Sequence, residues 1–369
     1  MKKLTLTEKN NAAKAILHRI EAAYQGLETV RFMEVCGTHT VSIFREGIRE
    51  LLPPYIELVS GPGCPVCVTD QVYMDKAIAY SLKEDVIVAT FADMLKVPGS
   101  TSSLQEARSN GGHIEIVYSP LEIIDLAKKN ATKKIVFLAI GFETTIAVIA
   151  ATVKAVYTQG LENVFFLVSH KLVPPALEAL IYQKENHLHG FILPGHVSVI
   201  IGEEPYQYLP EKHHMPCAIA GFDGLEILSA IASLLEQRVS GKPIVDNVYP
   251  SVVAKKGNPV AIALIKELYE VVDEPWRGIG VLPNTGLRLK APYDKLDIEK
   301  VYPIDVREEL ENMHGCSCGE VLQGIIQPPE CPLFGTICTP EHAIGACMVS
   351  VEGACAAWYK YGANSLHWD

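Results

Sequence analysis

Short apolar runs alternate with helix-periodic segments through most of the chain. The run VRFMEV ends at Cys36, and the run KIVFLAI ends at Gly141; a segment of helical period follows each. Runs of Val, Ile, Leu and Phe without polar alternation are typical of parallel strands that are covered on both faces. The pattern therefore predicts an α/β fold built on parallel sheets.

The strand, loop and helix units occur twice in the same order. The stretch IELVSGPGCPVC corresponds to NVFFLVSHKLVPP, and DVIVATFADMLKVPGS corresponds to HGFILPGHVSVIIG. Two unrelated α/β segments also resemble each other at this level, but the recurring Gly/Thr turns favour an internal duplication. We therefore predict two similar parallel-sheet α/β domains, at residues 25–120 and 121–240. A helical segment precedes them at 1–24, and a C-terminal cysteine-rich domain, whose cysteine spacing favours an iron–sulfur cluster, follows at 241–369.

Five polar or Gly/Pro-rich loops follow the predicted strands: CGTHT, GPGCPVC, GFETT, SHKLVPP and PGHVS. Ligands of open parallel sheets bind beyond the carboxyl ends of the strands, so these loops are expected to face a common cleft. The candidate site residues there are Cys36, Thr38, Cys64, Cys67, Glu143 and His196. For Thr38 and Glu143 helix capping is an equally good explanation, and a single histidine such as His196 is often only structural.

The last part of the chain is dense in cysteine. Six cysteines fall within 40 residues, with gaps of 1, 12, 6, 8 and 7 residues. Paired zinc-type CxxC motifs are absent there, whereas iron–sulfur clusters take four thiolates from bent, glycine-rich loops. An iron–sulfur cluster is favoured over a zinc site and over buried or disulfide-linked cysteines. We assign the cluster to Cys316, Cys331, Cys338 and Cys355, and a redox-active dithiol to Cys318 and Cys347.

The CPVC pair is a CxxC motif, in which one thiol often has a depressed pKa. A thioredoxin-type motif opens a helix directly, but here residues 68–70 intervene and Thr69 or Asp70 is the expected N-cap. Redox exchange, metal capture and an inert turn all remain open for Cys64 and Cys67. Together with Cys36, these thiols suit a soft, low-valent metal.

Composition excludes several other functions. The chain has 369 residues and a formal net charge of -11, and its lysines and arginines form no group larger than a pair. We therefore expect no nucleic-acid partner. No apolar run suits a signal peptide or a membrane span, so a cytoplasmic protein without membrane contact is expected. Cysteines in that compartment favour metal or redox chemistry.

The motifs CGTHT, GPGCPVC, GFETT, PGHVS and the CSCGEVL to CMVSVEG region resemble the family of the hydrogenase formation protein HypD, nearly from end to end. The resemblance implies a [4Fe–4S] cluster in the C-terminal part and a role in maturation of [NiFe] hydrogenases. It also implies a complex with a HypC-type chaperone, on which iron receives cyanide and carbon monoxide. A HypE-type donor supplies the cyanide, with HypF upstream.

By the same resemblance, the iron-binding cysteine falls on Cys36, and Thr38, Glu143 and His196 are candidate hydrogen-bond partners of the cyanide ligands. Whether such a chain turns over as an enzyme stays open. One alternative is an iron–sulfur thiol/disulfide oxidoreductase that acts on a protein disulfide. Another is a zinc-stabilised binding module.

Overall fold

The computed structural model describes residues 5–23, 28–306 and 315–362. The strands of these residues are β1 (Val30–Glu34), β2 (Ile56–Ser60), β3 (Val86–Thr90), β4 (Ile114–Ile116), β5 (Lys134–Gly141), β6 (Val164–Lys171), β7 (Gly190–Pro194), β8 (Cys217–Ala220), β9 (Val245–Asn247), β10 (Tyr269–Trp276) and β11 (Gly280–Leu289). The α-helices are α1 (Leu6–Ala23), α2 (Gly37–Arg45), α3 (Ile48–Leu51), α4 (Gln71–Ser81), α5 (Leu104–Ser109), α6 (Glu122–Lys129), α7 (Glu143–Gln159), α8 (Val173–Tyr182), α9 (Gly195–Ile201), α10 (Tyr208–His213), α11 (Gly224–Ser240), α12 (Pro259–Leu268), α13 (Ile298–Val301), α14 (Cys318–Leu322) and α15 (Ala354–Tyr361).

The strands form two sheets. The first has the order β2-β1-β7-β8-β9, and every neighbouring pair in it is parallel. The second has the order β10-β11-β6-β5-β3-β4; it is parallel from β6 to β4, and the antiparallel hairpin β10–β11 extends it at one edge. The predicted α/β class with parallel sheets is confirmed. The central strands are buried along their whole length, as continuous apolar runs require.

The repeated units take equivalent places in the two sheets. The sequence pairs β1 with β5, β2 with β6 and β3 with β7, and the next strands, β4 and β8, extend the series. Replacing each strand by its counterpart turns the order β2-β1-β7-β8 of the first sheet into β6-β5-β3-β4, the order of the second. This agrees with the predicted duplication, in which the two halves have exchanged their second strand pair.

The predicted boundary at residue 120 does not follow the sheets. Residues 25–120 and residues 121–240 each supply two strands to both sheets, so neither segment forms a sheet of its own. Residues 241–369 also supply β9 to the first sheet and β10–β11 to the second. Periodicity locates strands but does not tell which sheet each one joins, because a crossover to either sheet has the same local pattern.

Helix starts position the loops at the carboxyl edges of the strands. Asp70 is the N-cap of α4, and its carboxylate accepts a hydrogen bond of 3.0 Å from the Val72 amide, which settles the predicted choice between Thr69 and Asp70. Cys36 is the N-cap residue of α2, and only Val35 separates it from β1. The N-terminal α1 packs along α11. Among the helices of the described ranges, none has both the length and the apolar character that a bilayer crossing demands.

Candidate functional site

Cys36 and His196 follow two neighbouring strands of the first sheet. The chain runs from β1 outward to β2 on one side, and from β7 outward to β8 on the other. Such a switch point leaves a crevice at the carboxyl ends of the two strands, where ligands of open parallel sheets bind. The Phe222 ring, beyond β8, lies 4.0 Å from the His196 ring and 4.9 Å from the His39 ring, measured between centroids. The structure therefore brings the CGTHT and PGHVS motifs together.

Glu352, from the cysteine-dense region, reaches the same crevice. Its Oε1 accepts a hydrogen bond of 2.7 Å from Thr38 Oγ1. Burial lowers the pKa of His196, and the nearby Glu352 carboxylate opposes that shift. Glu352 is not among the residues predicted from the sequence, although it lies within the stretch CMVSVEG that carries part of the family resemblance.

Two glycines allow three chain segments to meet at Cys36. The Gly37 amide donates a hydrogen bond of 3.1 Å to the Gly63 carbonyl. A Cβ on Gly63 would lie 2.5 Å from the Cys36 Cα, and a Cβ on Gly37 would lie 2.2 Å from the Glu352 carbonyl oxygen. Only residues without a side chain permit these approaches. The glycines of CGTHT and GPGC thus hold the crevice together.

Residue Cys36 is 8% exposed. Burial raises the pKa of its thiol to about 11, with a smaller contribution from the Glu352 carboxylate, although the amides of His39 and Thr38 oppose the rise by donating to the sulfur. At neutral pH Cys36 is therefore a protonated thiol, from which a thiophilic metal ion would displace the proton. The amides at the start of α2 would then stabilise the thiolate.

The CPVC pair is buried behind this crevice. Cys64 is 3% exposed and Cys67 is fully buried, and the Cys67 amide closes the turn by donating to the Cys64 carbonyl at 3.1 Å. The Cys67 Sγ lies 3.7 Å from the carbonyl of Ala346 in the C-terminal region. Burial raises the Cys67 pKa well above its ordinary value, and a hydrogen bond with Cys347 opposes the rise.

All six C-terminal cysteines line one narrow cavity: Cys316, Cys318, Cys331, Cys338, Cys347 and Cys355. The other lining residues are Val321, Phe334, Gly345 and Met348. Within it, the sulfurs of Cys318 and Cys347 are 2.7 Å apart. The Ile344 amide donates a hydrogen bond of 3.4 Å to the sulfur of Cys338. The predicted redox pair is thus adjacent, and Cys347 links it to Cys67.

The donor set of this cavity suits an iron–sulfur cluster. It is soft and shielded, its lining is apolar apart from the thiols, and an amide–sulfur hydrogen bond is already present. The thiols pack closely and leave only about 10 Å³ between them, so they would have to separate around a cluster. Within the described ranges, no three His, Cys, Asp or Glu side chains are arranged to hold one metal ion. Cluster ligands need not converge on a point, since each binds a different iron.

Comparison with known proteins identifies the family. A family model named HypD, described as "Hydrogenase formation hypA family", matches residues 11–362. A putative hydrogenase expression/formation protein of Methanocaldococcus jannaschii is 42% identical over 349 residues, which cover 94% of this chain and 96% of that relative. The chain belongs to the HypD family. The hydrogenase maturation factors HypD of Escherichia coli and Rhodobacter capsulatus are 39% and 41% identical, over 92% and 90% of this chain and 91% and 89% of their own length.

In this member of the HypD family, Glu143 makes no described contact with the three crevice residues. It begins α7, beyond β5 of the second sheet, and its Oε1 accepts a hydrogen bond of 2.9 Å from the Val173 amide. Besides burial, which raises it, the pKa of Tyr206 is affected both by the charge of Glu143 and by Ser198 of the PGHVS motif, and α7 packs against α9, which begins at that motif. Glu143 Oε2 is buried without a hydrogen-bond partner among the described residues, and no described contact joins Glu143 directly to Cys36, Thr38 or His196.

Glu143 predicts a pH dependence of stability. Burial raises its pKa from 4.5 to about 7, so between these values the folded chain holds a proton that the unfolded chain has lost. Stability therefore falls as pH rises through this window, by roughly 3 kcal/mol in all. Glu143→Gln should remove this loss. In urea titrations, the free energy of unfolding of the variant relative to that of the wild type should therefore increase from pH 5 to pH 7.5. The exposed Glu162→Gln is the control, and an equal pH profile for both variants would contradict the prediction.

Replacing Gly319, which lies beside the cysteine cavity, should lower the thermal stability of the protein. A Cβ at this position would lie 2.0 Å from the Gly278 carbonyl oxygen. Although Ala favours a helix over Gly by about 1 kcal/mol, the clash must displace backbone, and overpacking costs about 1–3 kcal/mol. Gly319→Ala should therefore lower the melting temperature, whereas Gly224→Ala, where the new Cβ would meet its first neighbour at 3.4 Å, should not. Equal melting temperatures for the two variants would show that the cysteine region adapts freely.

Proposed function

We propose that this chain acts in the maturation of [NiFe] hydrogenases, as a redox-active scaffold that holds an iron ion while cyanide and carbon monoxide are attached. Membership of the HypD family supports the general role. The observation that carries the finer proposal is the continuity of thiols from the six-cysteine cavity through Cys347 to Cys67, behind the crevice that holds Cys36.

Cys36 would bind the substrate iron. Its thiol lies at the start of α2 in a crevice, with Thr38, His196 and Glu352 around it. A HypC-type chaperone would supply a second thiolate. The Thr38 hydroxyl and the half-buried His196 ring are the candidate donors to cyanide nitrogens, and Glu352 would orient Thr38. Glu143 makes no described contact with Thr38 or His196, but its buried Oε2 has no hydrogen-bond partner among the described residues and Tyr206 lies between it and Ser198, so it remains a candidate partner of the ligands.

Cys316, Cys331, Cys338 and Cys355 would hold a [4Fe–4S] cluster, which supplies single electrons when bound. The Cys318/Cys347 dithiol can reduce a Cys64–Cys67 disulfide by exchange, because Cys347 is next to Cys67. The Cys347 thiolate attacks the Cys67 sulfur and releases Cys64 as a thiol; Cys318 then attacks Cys347 and releases Cys67. Two electrons and two protons move to the CPVC pair, and Cys318 and Cys347 become a disulfide.

Burial of the CPVC pair argues against the alternative of a stand-alone reductase for protein disulfides. A disulfide in another protein must reach the attacking sulfur, but Cys64 is 3% exposed and Cys67 is fully buried. Exchange within the chain needs no such access. We further propose a cytoplasmic site of action, with a HypE-type cyanide donor and HypF upstream as partners.

Anaerobic purification with a HypC-type chaperone tests the proposal. The sample should contain iron and acid-labile sulfide and should show infrared bands of metal-bound cyanide and carbon monoxide. Iron and sulfide without those bands, combined with reduction of a protein disulfide, would favour the oxidoreductase. Zinc without iron or sulfide would favour a zinc-stabilised binding module and would overturn the proposal.

A further inference from the structure

A cavity of about 360 Å³ lies between the loop after β3 and the loop that joins Cys338 to Cys347. Residues 96–106 line one side and residues 340–344 the other, with Gln71 and Arg277 between them. We propose that this cavity binds a small organic anion through a carboxylate or phosphate group. Its size is at the lower end of the range for small-molecule pockets.

Arg277 is the observation that carries the proposal. The side chain lines the cavity but is only 3% exposed, and its Nε and Nη1 atoms are buried without a hydrogen-bond partner among the described residues. A guanidinium stays charged, and burying an unpaired charge is costly. The fork of a guanidinium matches the oxygens of a carboxylate or phosphate in pairs. A bound anion would therefore offset a positive charge that has no ion-pair partner among the described residues.

The rest of the lining supports an anion. Lys96 is exposed at the rim, and the loop offers the Thr101 hydroxyl. The carboxylate of Glu106 is already engaged, because its Oε2 accepts hydrogen bonds from Ser102 Oγ at 2.9 Å and from the Ser103 amide at 3.2 Å. Glu341 and His342 are exposed on the opposite rim. Neither Glu106 nor Glu341 forms an ion pair with Arg277.

Arg277 also faces the cysteine cavity. The Cys318 thiol and burial raise the pKa of Cys316, and the Arg277 guanidinium opposes that rise. The backbone amide of Arg277 donates to the Val68 carbonyl at 3.1 Å, directly after the CPVC motif. The competing explanation is therefore that Arg277 only balances the charge of nearby thiolates. Anion affinity separates the two explanations.

The test is calorimetric titration of the full-length protein with inorganic phosphate and with acetate, at constant ionic strength. At least one anion should bind saturably, and the preferred one identifies the recognised group. Arg277→Gln should weaken that binding about tenfold or more, since it removes a paired charge-assisted contact. Lys96→Met should weaken it by a smaller factor, and Arg108→Met, an exposed change on α5 outside the cavity, should leave it unchanged.

Three results would overturn the proposal. The first is that the wild type binds neither phosphate nor acetate. The second is that Arg277→Gln and Lys96→Met both bind the anion with wild-type affinity. The third is that Arg277→Gln changes the visible spectrum of the metal-loaded protein but not its affinity for the anion. If Arg277→Gln does not fold, Lys96→Met decides, because an exposed rim lysine can be changed without disturbing the core. Unchanged affinity in that variant would count against the site.

Discussion

Cys36→Ala is expected to abolish the infrared bands of iron-bound cyanide and carbon monoxide while the visible absorption of the cluster remains. The crevice offers one thiol at the start of α2, and its neighbours Thr38 and Glu352 are hard oxygen groups that bind low-valent iron poorly. Loss of the sulfur therefore removes the scaffold's own ligand. The cysteine cavity is built from other residues and should keep its metal.

The matched control is Cys217→Ala. Cys217 is a buried thiol as well, but it lies in β8 beside the Met215 carbonyl and lines neither site. This variant should keep both the infrared bands and the visible absorption. Infrared bands that persist in Cys36→Ala at wild-type intensity would exclude Cys36 as the iron ligand.

Cys347→Ser is expected to isolate the CPVC pair from the cysteine cavity. Cys347 is the thiol that contacts both Cys318 and Cys67, so its loss removes the hydrogen-bonded link between the cavity and the CPVC pair. After oxidation and anaerobic treatment with dithionite, wild-type Cys64 and Cys67 should be alkylated as free thiols. In the variant they should remain a disulfide, as measured by mass spectrometry of the peptides.

Iron and sulfide content shows whether the variant acts as proposed. Cys347→Ser should retain both, because four other thiols are assigned to the cluster, whereas Cys338→Ser should lose both. Cys217→Ser should behave as the wild type in both measurements. If Cys347→Ser instead loses its iron, Cys347 is a cluster ligand, and one of the four cysteines assigned to the cluster belongs to the redox pair.

One short segment connects the two sites. Residues 345–355 carry Cys347 and Cys355 at the cysteine cavity and Glu352 at the crevice. Gly353 keeps the segment tight, because a Cβ there would lie 2.2 Å from the Cys347 carbonyl oxygen. If the thiols shifted around a bound cluster, Glu352 would therefore shift with them, and Glu352 contacts Thr38 beside Cys36. The geometry gives a physical connection between the occupancy of one site and the shape of the other.

The sequence alone predicted the elements and most of the candidate chemistry. The strand–loop–helix pattern placed Cys36 and His196 at carboxyl ends of strands, and the spacing of the last six cysteines predicted a common thiol site. Cys318 and Cys347 were paired before the structure placed their sulfurs 2.7 Å apart. Strand ends and clustered cysteines can be located in this way because they are local features of a chain. The division of the six cysteines into four cluster ligands and a redox pair stays a prediction, since Cys318 also contacts Cys316 and Cys347 also contacts Cys355.

Only the tertiary structure decided which of these features meet. It joined strand pairs from both halves in each sheet, set Glu143 against Val173, and brought Glu352 to Thr38 across 314 positions of sequence. It also buried Arg277 beside a cavity, with its Nε and Nη1 atoms unpartnered among the residues that the structure describes. Such contacts depend on how separate helices and strands pack. That packing is determined by the burial of their apolar faces, and the spacing of residues along the chain does not specify which faces meet.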